Sequence, residues 1–255
     1  MGLGTLVSAA LVQIAWEPLL LHYLVLLGLV SAVLAATFYM PEPVALRSPF
    51  RLTVQRPRVP PDVRRPFRLA ALAVLSSWSI GALFFSLGPQ LAARIFKSSS
   101  VLVSALGVVA LAIAAVLAQL LAGRGPAWIA ACLGSIALAA GMTMIIVASA
   151  TDSGAVYLAG SFVAGVGFGA VYLGGLRSLM TAIPAKRRAA VMAAFFVVAY
   201  SSLSLPAIFA GVVVTQISLQ ATFEIFGAIV IAIAFAVAFE AWRLRGASEQ
   251  EETTA

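Results

Sequence analysis

The apolar positions of this chain fall into eight runs, and one polar stretch separates the first two from the last six. The runs cover residues 2–15, 19–40, 69–95, 101–122, 128–150, 154–183, 189–215 and 219–242. Most are about 20 residues long, the length at which an α-helix crosses a ~30 Å hydrocarbon core. None shows the alternation that a membrane β-barrel requires, and backbone groups in lipid must pair within their own segment. The pattern therefore predicts an all-α, polytopic membrane protein of about eight transmembrane helices. The run at 154–183 is over-long, which a tilted helix or a turn at its outer end would accommodate. The separating stretch, residues 41–67, carries seven prolines and six arginines in 27 residues and cannot enter lipid.

The first run is short. Its 14 residues before Trp16-Glu17-Pro18 make roughly 21 Å of helix, less than a full crossing. No positive charge precedes it, which argues against a signal peptide. The expectation is a helix whose beginning has been cut away.

Composition agrees with the pattern. Hydrophobic residues are 62% of the chain, charged residues 10%, and mean hydropathy is +1.07, far from the balance of a soluble domain. The net charge of +7 would fit nucleic-acid binding in a soluble protein. Here the arginines sit at the ends of apolar runs, so they read as topology signals and anchors for anionic lipid, and no nucleic-acid partner is expected. If the 41–67 loop is cytoplasmic, thirteen of the sixteen cations fall on the inner side, and only Arg94 and Lys97 on the outer. The remaining one, Arg177, lies inside a run near its inner end. The tail at 246–255 is then cytoplasmic, acidic and expected to be disordered. Trp16, Trp128 and Trp242 fall at the interfaces, whereas Trp78 falls near mid-membrane. Cys132 is the single cysteine and excludes an intrachain disulfide. His22 is the single histidine, so no zinc set of histidines and cysteines exists. There is no Walker loop. No cofactor, metal or enzymatic activity is expected.

The residues most particular to one family lie in 160–211, GSFVAGVGFGAVYLGGLRSLMTAIPAKRRAAVMAAFFVVAYSSLSLPAIFAG. They form a glycine-rich helix with an arginine near its inner end, a short basic turn, then a helix with tyrosine and a serine-proline step. This resembles the tenth and eleventh helices of efflux-type transporters of the major facilitator superfamily. The resemblance implies twelve helices in two halves joined by a long cytoplasmic loop, with the runs here corresponding to helices five to twelve and the first four absent. Residues 1–40 would be two helices left from the N-terminal half, 41–68 the cytoplasmic linker, 69–243 the six-helix C-terminal half and 244–255 the tail. The family's Gly/Asp/Arg loop belongs to the absent part. Its echo at 121–128, LAGRGPAW, keeps only Gly123-Arg124-Gly125 and lacks the acid. The antiporter glycine-proline motif would fall in 2–15, where Gly2 and Gly4 stand without a proline. The resemblance implies an integral plasma (inner) membrane protein that exports small organic molecules by alternating access, driven by an ion gradient. The competing expectation is a split or truncated subunit that works only with a partner chain supplying the missing helices.

Polar residues are costly in lipid, so deep ones are the candidates for the transport site and its gates. They are Trp78, Gln90, Tyr172, Arg177, Tyr200 and Ser204, each with interhelical packing as the plainer reading. Trp78 and Tyr200 could stack on an aromatic or cationic substrate. Arg177 reads either as a snorkelling anchor or as a gate or anion contact. Glu224, the one acid well inside a run, is the candidate for proton coupling, and the alternative is a carboxylate that meets the outer interface, Gln216 or Gln220. Gly165, Gly169 and Gly174 give their helix a smooth face for close packing or for sliding. Pro206 should kink its helix, with Ser202 placed to bond the carbonyl that the proline frees.

Overall fold

The computed structural model describes residues 4, 18–40 and 59–253. The run at 2–15, Gly4 apart, and the basic stretch up to residue 58 lie outside them. Every regular element among the described residues is helical: α1 (Pro18–Phe38), α2 (Arg64–Ser86), α3 (Gly88–Phe96), α4 (Val101–Ala122), α5 (Ala127–Thr151), α6 (Gly154–Ala182), α7 (Arg188–Gln216) and α8 (Leu219–Thr253). Short 3-10 turns at Pro61–Val63 and Ala185–Arg187 lead into α2 and α7. Six helices, α2 and α4 to α8, are long and apolar enough to cross a bilayer, while the apolar part of α1, Tyr23–Phe38, is shorter. The side chains described in α1 are all exposed.

Three boundaries differ from the sequence reading, each for a local reason. The run at 69–95 is two helices, broken at Leu87. Pro89 has no N–H and would clash inside a helix, so the chain restarts with the proline in the first turn of α3. α2 starts at Arg64, before its apolar run, because Pro61 and Asp62 open a 3-10 turn that feeds it. α8 continues through the tail to Thr253 instead of giving way to disordered chain. The over-long run at 154–183 is one unbroken helix. Ser153 caps it by accepting from the Val156 N–H at 3.5 Å.

α6 is the central helix and packs on α5, α4 and α2. Its glycines make this possible. A Cβ added to Gly165 or Gly169 would fall on the carbonyls of Leu111 or Ala115 in α4, and one added to Gly174 would lie 2.7 Å from the Ala127 carbonyl oxygen in α5. Backbone thus lies against backbone on two sides of one helix. α8 packs on α5 and α2, α3 packs on α4, and α7 rests mainly on α2. The larger core, with Leu83, Leu91, Leu111, Leu138 and Phe223, lies among α2 to α6 and α8 and includes Ala210 of α7. A smaller one, with Val74, Leu179, Val191 and Phe195, joins α2, α6 and α7.

Candidate functional site

α2, α6 and α7 each bring one aromatic residue to a common point. Trp78 is half-buried on α2. Its ring centroid is 6.1 Å from that of Tyr172 on α6, with the planes 30° apart, and 5.8 Å from that of Tyr200 on α7, nearly edge-on at 83°. Phe195 lies 6.5 Å from Tyr172, and Phe196 lies 6.3 Å from Tyr200. Offset and edge-to-face geometries at these separations are the favoured ones. The cluster is not sealed, since Tyr200 is 60% exposed. It therefore presents π faces and two phenol groups, with no charge inside it. The faces of such rings attract other rings and organic cations.

α7 is held to α2 beside this cluster by one polar contact. Pro206 deprives the Ser202 carbonyl of its partner within the helix. The hydroxyl of Ser202 does not repair this, contrary to expectation, because it donates to the Val198 carbonyl at 2.6 Å. The donor is Ser79 of α2, whose Oγ reaches the Ser202 carbonyl at 3.3 Å. Ser204, one turn past Tyr200, is exposed.

The other candidates lie elsewhere. Gln90 is exposed in the first turn of α3. Arg177 donates through Nη1 to the carbonyls of Ala122, at 3.1 Å, and Gly125, at 2.9 Å. It thus occupies the unpaired end of α4 and the Gly123-Arg124-Gly125 turn. Glu224 accepts from Gln220 Nε2 at 2.9 Å. Gln220 Oε1 accepts in turn from Arg94 at 3.3 Å, and Arg94 also reaches the Ser149 carbonyl at 3.1 Å and Asp152 at 3.4 Å. This network joins the ends of α3, α5 and α8.

One buried acid escapes the sequence reading. Glu240 is only 7% exposed and pairs with Arg68 across α8 and α2. Its place near the end of an apolar run makes it look interfacial. The signal that finds it is helical register, since Val230, Ala234, Val237 and Ala241 mark the buried stripe of α8 and Glu240 adjoins it.

No curated protein and no solved structure matches the chain. The model of one protein family, the Major Facilitator Superfamily, matches residues 1–207, which include the whole aromatic cluster and end before α8. With a match over most of its length, an all-α build and six helices able to cross a bilayer, the chain belongs to the Major Facilitator Superfamily of transporters.

Proposed function

We propose that this chain exports small organic molecules across the plasma (inner) membrane by alternating access, driven by an ion gradient. The observation that carries the reading is the convergence of Trp78, Tyr172 and Tyr200 from three helices onto one partly open aromatic surface. Aromatic and cationic organic solutes are the class such a surface favours. Proton coupling is assigned to Glu224. It is half-buried in α8 and held by a neutral partner, Gln220, whereas Glu240 is held by the cation of Arg68. The basic ends of α2, α7 and α8 face the cytoplasm.

The test is flux of a planar aromatic cation from proteoliposomes under an imposed pH gradient. Native protein should respond to the gradient. Glu224→Gln should still exchange the cation at equilibrium but lose the gradient's effect. A Glu224→Gln protein with undiminished gradient response removes the coupling role, and native protein that moves no organic solute removes the transport reading.

A further inference from the structure

On the flank of α7 away from the aromatic cluster, a cleft of about 380 Å³ separates α7 from α8, with α2 as its floor. It is lined by Leu75 and Leu83 of α2, Leu205 and Phe209 of α7, and Ile229 and Ile233 of α8, so it lies near the middle of all three helices. Ser79, Ser201 and Ser202 also touch it; the hydroxyls of Ser79 and Ser202 are committed to backbone carbonyls, and Ser201 is exposed. The wall carries no charged side chain. Leu205, Phe209 and Ile229 are each about half exposed at the mouth, so the cleft opens on the apolar outer surface of the described helices at mid-span.

The geometry points to an acyl chain of a bilayer lipid as the occupant of this cleft. A hydrated solute would have to leave its water for a wall whose polar groups are three serine hydroxyls, two of them already committed. A helix, about 10–12 Å across, is too thick for a space of this volume. A hydrocarbon chain needs no polar partner, matches the depth of the cleft and is supplied by the membrane itself. Its gain over lying in bulk lipid is dispersion contact with three helices instead of one, because lipid tails are as apolar as leucine. Occupancy would set the spacing of α7 from α8, and α7 carries Tyr200.

The test uses the full chain in nanodiscs that contain a phospholipid with a photoreactive diazirine midway along one acyl chain. Adducts are mapped by peptide mass spectrometry. Residues 197–209 and 226–233 should be labelled roughly threefold or more above the exposed face of α4 at Ile113, Leu117 and Leu120, the enrichment that modest extra contact gives. Ile229→Trp or Leu205→Trp, which fill the mouth, should bring cleft labelling down to the α4 level and leave α4 unchanged. Equal labelling of cleft and α4 in the native chain overturns the proposal, and so does cleft labelling that survives both fillings. The native comparison decides alone if a filled variant fails to insert.

Discussion

The contact between Ser79 and the Ser202 carbonyl is where single residues govern how α7 is held. A proline at 206 leaves residue 202 without its i+4 donor, and this half of the arrangement is legible in the sequence. The donor is not. Ser79 lies 123 positions away, and the nearer hydroxyl, that of Ser202, is drawn back to Val198. Arg177 is a parallel case: its depth is legible, but its two carbonyl acceptors lie across the bundle on the α4–α5 turn. Ser79→Ala should cost about 0.5–1 kcal/mol, the range for a side-chain hydrogen bond in a membrane protein. In a Pro206→Ala background the helix supplies its own donor, so the same change should cost almost nothing. Thermal unfolding of the four proteins in detergent measures this coupling. An equal cost of Ser79→Ala in both backgrounds removes the contact from the account.

At the scale of elements, α6 is fixed by glycines on two of its sides. A methyl group at Gly165 meets the Leu111 carbonyl, so Gly165→Ala should force α6 from α4 and destabilise the chain by about 1–3 kcal/mol. Gly211 in α7 has nothing within 4 Å of an added Cβ. Gly211→Ala should therefore be neutral or stabilise by up to about 1 kcal/mol through helix propensity. Unfolding midpoints of the two variants in one detergent compare them, and equal shifts would contradict the packing described. The glycine stripe is legible as small-residue spacing, but which neighbour each glycine faces is not. Helices in lipid are apolar on every side, so no polar face marks the direction of the core. The break at Leu87 was open to reading from Gly88 and Pro89, a pair that ends helices wherever it falls.

The molecule as a whole has one arginine-rich end, with Arg68, Arg124, Arg187, Arg243 and Arg245, and an opposite end that carries Arg94 and Lys97. This division is the part of the architecture most fully legible from the sequence, because charge placement is a property of the chain order alone. In a Cys132→Ala background, Lys97→Cys should react with an impermeant maleimide on intact cells, and Lys186→Cys only after permeabilisation. The reverse pattern would invert the proposed orientation. Of the eight expected spans, α1 is shorter in its apolar part and the run at 2–15, Gly4 apart, lies outside the described residues, while the other six were legible too, by length and hydropathy. The meeting of Trp78, Tyr172 and Tyr200 was not, since their positions lie 94 and 28 residues apart and only the packing of α2, α6 and α7 brings them together. On that meeting rests the central claim, that the aromatic cluster is where the transported molecule binds. The direct measurement is concentration-dependent transport of a planar aromatic cation by native, Trp78→Phe and Trp78→Ala proteins in liposomes. The account predicts that half-saturation rises about tenfold in Trp78→Ala, the loss of roughly 1.4 kcal/mol of ring contact, and far less in Trp78→Phe. Half-saturation unchanged in Trp78→Ala, with transport intact, would contradict it.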